Sequence, residues 1–199
     1  NSLWSVGDFI IEAVVATGQI GRNEAIERAI ALLGEVGISN GAERMRQYPH
    51  ELSGGLLQRI MIVAALMPSP DFILADEIST ALDVTVQSEV MAILNELRES
   101  RRLGMLFITH DLDLAAAVTD RFAVMYAGSV VETGPSSDVC ASPKHPYTAA
   151  LLASRPSLLQ MRRLQTIPGR PLSASEAGEG CVFASRCSFA QPKCASERP

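Results

Sequence analysis

Apolar residues recur at helical spacing over much of the first hundred positions. Residues 8–36 carry this pattern, Gly37 stands at its end, and Asn23 is placed to cap its second part. A longer stripe over 84–100 predicts an amphipathic helix with Val86, Val90, Ile93, Leu94 and Leu97 on its inner face. Residues 56–67 and 112–119 are predicted to form two further helices.

Short apolar runs alternate with these helices and predict the strands. Residues 72–75 and 105–109 are bounded by turns and polar residues, which is typical of buried strands. Residues 121–126 and 129–133 flank a glycine turn and predict a hairpin. Because strands alternate with helices, the pattern predicts an α/β fold with a largely parallel sheet.

Composition and charge narrow the class of protein. The chain has 199 residues, of which 47% are hydrophobic and 20% charged, and its net charge is −5. This composition is typical of a folded domain, and the negative net charge argues against a protein whose main binding partner is nucleic acid. The longest uncharged apolar run, 60–67, is shorter than the roughly 20 residues of a membrane-spanning helix. The first residues have no basic region or cleavage-like site, so they are not expected to be a secretory signal. Because the chain lacks an initiator Met, we expect it to begin inside a longer protein.

A Ser-Gly-Gly turn precedes the predicted helix over 56–67. Ser53 sits where an N-cap belongs, and Gly54 and Gly55 leave the backbone open at the helix start. Free N–H groups and the positive end of the helix dipole would favour a phosphate there. The same three residues are also compatible with a simple cap and a flexible turn.

Polar residues follow both predicted parallel strands. Asp76 and Glu77 come directly after the first strand, and His110 follows the second. Carboxyl ends of parallel strands are where open α/β sheets place ligands, so these groups would face one crevice. One acid can hold hydrated Mg²⁺ while its neighbour orients or deprotonates a water. Taken singly, the acids could begin a surface loop and the histidine could be structural.

The order and spacing of these motifs resemble the ATPase subunit of ATP-binding cassette (ABC) transporters. The order is Leu52-Ser53-Gly54-Gly55, Gln58-Arg59, Phe72 to Glu77, Ala81-Leu82-Asp83 and Ile108 to Asp111. The resemblance makes residues 52–55 the signature motif, residues 72–76 the Walker B strand and residues 81–83 the D-loop. It also implies an incomplete P-loop NTPase fold.

The resemblance also implies roles for individual residues. Glu77 and His110 would be catalytic, and Asp76 would hold Mg²⁺ through water. In the family, two such domains enclose two ATP molecules head to tail, so the signature of one domain faces ATP held by the other. The residues expected to contact nucleotide are Ser53, Gly54, Gly55, Gln58 and Asp83.

Further motifs resemble the peptide and nickel import branch of that family. They are Tyr48-Pro49-His50-Glu51, the stretch 81–85, His145-Pro146-Tyr147-Thr148, and three cysteines, Cys181, Cys187 and Cys194. Some members of the branch resemble iron–sulfur proteins at these cysteines, so we expect an iron–sulfur cluster or, equally, reduced structural thiols. Cys140 is a poor fourth ligand because it occupies a usually apolar place.

The resemblance divides the chain into three predicted segments. Residues 1–67 would form the helical subdomain ending in the signature helix, and residues 68–134 the remainder of a RecA-like ATPase core. Residues 135–199, where prolines and cysteines become frequent, would form a C-terminal extension.

The sequence departs from the family pattern in two places that bear on ATP binding and hydrolysis. The sequence contains no Gly-x-x-x-x-Gly-Lys-Ser/Thr phosphate loop, and Ile78-Ser79-Thr80 replaces the usual proline and threonine after the glutamate. We therefore expect the isolated chain neither to bind ATP tightly nor to hydrolyse it. A non-catalytic or regulatory subunit that completes a partner's ATP site is the alternative. A DNA-repair or chromosome-organising ATPase is disfavoured, because the sequence shows no sustained heptads.

The expected partners follow from the family. They are a second ABC ATPase domain, transmembrane permease subunits and, indirectly, an extracytoplasmic substrate-binding protein, with no nucleic acid. The expected location is the cytoplasmic face of a bacterial or archaeal membrane, with ATP and Mg²⁺ as ligands.

Overall fold

The computed structural model describes residues 3–78, 82–155 and 166–198. The chain forms two compact units, residues 1–110 and residues 111–199. The first unit contains the signature-like turn and both predicted parallel strands, and the second contains the hairpin and the cysteines.

The described residues of the first unit form five α-helices and one short 3-10 helix, Pro49–Glu51. The helical pattern over 8–36 divides into two helices at residues 17–21, where Gly18 has a φ of +71°. Asn23 lies inside the second of them, whose N-cap is Gly21, so the predicted cap was wrong. The helices are α1 (Val6–Ala16), α2 (Arg22–Glu35), α3 (Gly41–Arg44), α4 (Gly54–Leu66) and α5 (Val84–Arg101).

Two parallel strands lie in the same unit. Strand β1 (Phe72–Asp76) pairs in parallel with β2 (Gly104–Ile108), with Asp76 opposite Ile108. On one face of this pair Ile73 and Ala75 are buried. The predicted parallel pairing is confirmed, and the carboxyl ends of the two strands share one edge.

The second unit is built on an antiparallel hairpin. Strands β3 (Arg121–Tyr126) and β4 (Ser129–Pro135) pair with each other, as predicted. Tyr126, Val182 and Phe183 form a buried cluster that holds the cysteine-bearing segment on the hairpin. The α-helices in the described part of this unit are α6 (Leu112–Val118), α7 (Ser136–Ala141) and α8 (Pro146–Ala153).

The architecture confirms the predicted α/β class. Within the described residues, β1–β2 and β3–β4 are two separate two-stranded sheets. The three-segment division at 67/68 and 134/135 remains a prediction, since compactness alone does not separate functional segments. No helix in the described part of the chain is long and apolar enough to cross a membrane.

Candidate nucleotide site

The Ser-Gly-Gly turn opens α4 in the way that its sequence predicts. Ser53 has extended backbone (φ −72°, ψ 159°), and its hydroxyl accepts a hydrogen bond from the Leu56 N–H at 3.4 Å. The first N–H groups of a helix have no acceptor within the helix. The Gly54 and Gly55 amides therefore stand at the positive end of α4, where a phosphate oxygen could accept from them.

A second helix begins beside this turn. Asp83 caps α5, and its Oδ1 accepts from the Val86 N–H at 2.9 Å. A cleft of about 330 Å³ opens between the two helix starts, lined by Ser53, Gly54, Gly55 and Asp83 among others. A Cβ atom on Gly55 would lie 2.6 Å from Cγ1 of Val86. Glycine is required there because α4 and α5 approach so closely.

Gln58 connects the signature-like helix to the turn after β1. Its side-chain amide donates a hydrogen bond to the backbone carbonyl of Ile78. Gln58 therefore contacts the residue that follows Glu77. Ile78, which stands where the family usually has proline, is described, whereas residues 79–81, including the first D-loop residue, lie outside the described residues.

Glu77 and His110 meet at the carboxyl edge of the parallel strands. The Glu77 N–H donates to the carbonyl of Ile108 at 2.9 Å, which carries the β1–β2 pairing one residue further. Oε1 of Glu77 lies 3.3 Å from Nδ1 of His110. Glu77 has a φ of +46°, a left-handed conformation that is costly for a residue other than glycine. Such strain is often found where a side chain must be aimed at a ligand.

Asp76 is the last residue of β1 and is exposed beside Glu77. Mg²⁺ in phosphate sites is usually held by one or two carboxylates, waters and the phosphate itself. The Asp76 carboxylate is a hard oxygen ligand of this kind. The donor set fits a nucleotide-bound Mg²⁺.

The cysteines do not form the predicted cluster site. Sγ of Cys187 accepts from the Phe189 N–H at 3.3 Å, and Sγ of Cys194 accepts from the Gln191 N–H at 3.4 Å. Over the described ranges, the histidine, cysteine and acidic side chains form no group of three placed to hold a metal ion. The arrangement of Cys181, Cys187 and Cys194 therefore does not support an iron–sulfur cluster.

Two charged residues that line the cleft had no predicted role. Arg59 and Glu89 form an ion pair of 2.6 Å between α4 and α5. Arg59 directly follows Gln58, and Glu89 lies three residues after Val86. Helical spacing from Gly55 and Val86 could have indicated both, because residues three or four apart share a helix face.

Comparison with known families matches two regions of the chain. The profile described as "ABC transporter" matches residues 8–80. The profile described as "Oligopeptide/dipeptide transporter, C-terminal region" matches residues 131–194. The first match contains the Ser-Gly-Gly turn and Glu77, and the second contains the cysteines.

Individual relatives match over nearly all of the chain. A protein of Brucella abortus, given the name of a peptide import ATP-binding protein, is 44% identical over 206 residues, covering 100% of this chain and 61% of that protein. A Sinorhizobium fredii protein, given the name of a peptide ABC transporter ATP-binding protein, is 44% identical over 197 residues, covering 98% of this chain and 59% of that protein. The chain thus spans about three fifths of the length of the curated relatives it matches. Its motifs, its fold and both profile matches show that it belongs to the ABC transporter family, in the oligopeptide/dipeptide branch of ATP-binding subunits.

Proposed function

We propose that this chain supplies the signature and hydrolytic residues of an ATPase subunit that drives peptide import. The observation that carries this proposal is the Glu77–His110 pair, 3.3 Å apart at the carboxyl edge of β1 and β2. Asp76 stands next to that pair, and a helix start suited to phosphate lies in the same unit.

Asp76, Glu77 and His110 would have different roles in the proposed hydrolysis. Bound Mg²⁺ would neutralise charge that develops on the β- and γ-phosphates. Asp76 would hold the hydrated ion, and Glu77 would orient a water for in-line attack and accept its proton. His110 would hydrogen-bond to the Glu77 carboxylate and so fix its orientation. Its imidazole ring would also contact the γ-phosphate.

The signature turn has a different nucleotide as its ligand. In the head-to-tail arrangement that the family resemblance implies, Ser53, Gly54 and Gly55 face the γ-phosphate of ATP held by a second ABC domain. The sequence contains no phosphate loop of its own. The isolated chain is therefore expected to lack ATPase activity. Its signature turn would complete the site of a partner that holds ATP on the partner's own phosphate loop, whereas Asp76, Glu77 and His110 would serve ATP held within their own domain.

The proposed cargo is a peptide, and the proposed location is a membrane surface. The names of the relatives refer to peptide import and to ATP binding. Permease subunits would carry the peptide, an extracytoplasmic binding protein would select it, and this chain would act on the cytoplasmic face. Nickel import is the competing cargo within the same branch.

Reconstitution tests the proposal directly. The importer containing this chain is assembled with its permease, partner ATPase and substrate-binding subunits in proteoliposomes, and uptake of a radiolabelled tripeptide and of ⁶³Ni²⁺ is measured with and without Mg-ATP. ATP-dependent tripeptide uptake that is lost in Glu77→Gln supports the proposal. Uptake of nickel alone overturns the peptide assignment. Full activity of Glu77→Gln shows instead that the chain only completes a partner's site.

A further inference from the structure

We propose that Arg59 is a positioning residue for the nucleotide cleft. It fixes the first turns of α4 and α5 relative to each other, so that the Ser-Gly-Gly turn and Asp83 present a single binding surface. The consequence for ATP hydrolysis rests on the proposed function, whereas the consequence for the structure of the cleft does not.

Arg59 links three helices through one guanidinium group. Its Nη2 lies 2.6 Å from Oε2 of Glu89 on α5, and its Nη1 donates to the carbonyl of Val36 at 3.3 Å. Val36 is the C-cap of α2, where backbone carbonyls favour a cation. The Arg59 side chain is only 19% exposed, so its ion pair is less screened by solvent than a fully exposed pair.

The Arg59–Glu89 ion pair lines the cleft about one helical turn along α4 and α5 from the Gly55–Val86 contact. Gly55 and Val86 form the point where α4 and α5 come closest. Arg59 is four residues beyond Gly55, and Glu89 is three residues beyond Val86, so the ion pair lies on the same two helix faces. The Gly55–Val86 contact and the Arg59–Glu89 pair together resist both sliding and rotation of one helix start against the other.

A glycine at the C-terminal end of α2 makes room for the Arg59 guanidinium. Gly37 has a φ of +75°, and a Cβ atom there would lie 3.2 Å from Nη1 of Arg59. Glycine thus ends α2 and leaves room for the guanidinium. A lysine would carry the charge but lacks the planar fork that reaches Glu89 and the Val36 carbonyl together.

A matched ion pair in the same unit serves as a control. Arg101 and Glu35 also join α5 to α2 at 2.6 Å, and the Arg101 side chain is 29% exposed. Arg101 is the last residue of α5, at the opposite end from Asp83. Arg101→Gln therefore removes a comparable α2–α5 link without touching the cleft.

The first arm of the test uses the 199-residue chain without any ligand. Amide hydrogen exchange is measured by NMR for Leu57 and Val86, whose N–H groups bond to the two cap residues. Arg59→Gln is expected to raise exchange at both amides about tenfold, and Arg101→Gln less than twofold. Equal effects of the two variants would overturn the proposal. If Arg59→Gln does not fold, Arg59→Lys is used instead. It is expected to raise the exchange rate of the Leu57 and Val86 amides about threefold.

The second arm measures ATP hydrolysis by the reconstituted importer. Arg59→Gln is expected to lower kcat about tenfold with KM for ATP changed less than twofold, while Arg101→Gln stays within twofold of wild type in both. Activity lost equally in both variants would indicate general destabilisation and overturn the positioning role. An inactive wild-type importer would count against the proposed function alone, since the exchange arm decides the role of Arg59 independently.

Discussion

Oε1 of Glu77 lies 3.3 Å from Nδ1 of His110, although 33 residues separate them in sequence. The parallel register of β1 and β2 brings them together, since Asp76 stands opposite Ile108 and each strand delivers its polar residue at the same edge. Both side chains are more than half exposed, so a ligand can reach them. The geometry suits a carboxylate that orients and deprotonates a water molecule, with an imidazole that keeps this carboxylate in position.

Removing either member of this pair is expected to slow hydrolysis by the assembled importer. Glu77→Gln keeps the shape of the side chain but cannot accept a proton, and a loss of about 10²–10⁴-fold in kcat is expected. His110→Ala leaves the carboxylate without its partner, and about a 10²-fold loss is expected. Steady-state phosphate release measures both. Wild-type rates in Glu77→Gln would contradict the proposed role of Glu77.

Replacing Glu77 by glycine is expected to raise the stability of the chain and to abolish ATP hydrolysis. Because Glu77 holds a φ of +46°, Glu77→Gly is expected to relieve backbone strain and raise the free energy of unfolding by about 1 kcal/mol. The same variant removes the carboxylate and is expected to abolish hydrolysis. Urea denaturation followed by fluorescence of Trp4, the one tryptophan of the chain, reports on the unit that contains this residue. Glu77→Gln, which keeps the strained backbone, is the control and should leave stability unchanged.

Sequence patterns predict the local elements of this chain well and its long-range contacts poorly. The period-3.6 stripe predicts α5 to within one residue, because burial of Val90, Leu94 and Leu97 imposes the pattern. The cap at Asn23 was wrong because Gly21 begins α2 without any side-chain hydrogen bond. Arg59 was overlooked as a functional residue because its acceptors, Glu89 and Val36, lie 30 and 23 residues away. Helical spacing places Arg59 on the face of Gly55 and Glu89 on the face of Val86, but it does not indicate that these two helix faces meet.

The close approach of α4 and α5 predicts a specific response to alanine. Gly55→Ala would place a Cβ atom 2.6 Å from Val86 Cγ1, and the stiff β-branched side chain cannot move away easily. We expect a loss of about 1–3 kcal/mol in the free energy of unfolding. Gly54→Ala is the control, because its Cβ would meet only Leu82 at 3.6 Å and should change stability by less than about 0.5 kcal/mol.

A double-mutant cycle separates this steric effect from helix propensity. Val86→Ala removes the clashing methyl groups, so Gly55→Ala should cost less in the Val86→Ala background than in wild type. A favourable coupling of about 1 kcal/mol is expected from urea denaturation. Simple additivity of the two substitutions would show that the helices part without steric cost.

The second unit is expected to lose stability as the pH falls towards 5, because of His145. This buried residue caps α8, and its Nδ1 accepts from the Tyr147 N–H at 3.1 Å, which requires the neutral ring. Burial lowers the pKa of His145 below its usual 6.5, while the nearby Glu132 carboxylate partly opposes this change. The unfolded chain therefore binds the proton more readily than the folded chain, and this stability is lost as pH falls through 6.5 towards the folded pKa.

Near-UV circular dichroism of the tyrosines measures this effect, since two of the three, Tyr126 and Tyr147, lie in the second unit. Loss of the cap should lower the free energy of unfolding by about 1 kcal/mol between pH 7.5 and pH 5. His145→Asn supplies a cap oxygen that does not titrate, so its stability should stay nearly constant over that interval. Burial alone would raise the pKa of Glu132, but hydrogen bonds from the Lys144 and His145 N–H groups outweigh it and lower that pKa. Glu132 therefore remains charged across this pH range, and an equal loss in His145→Asn would show that another group controls the transition.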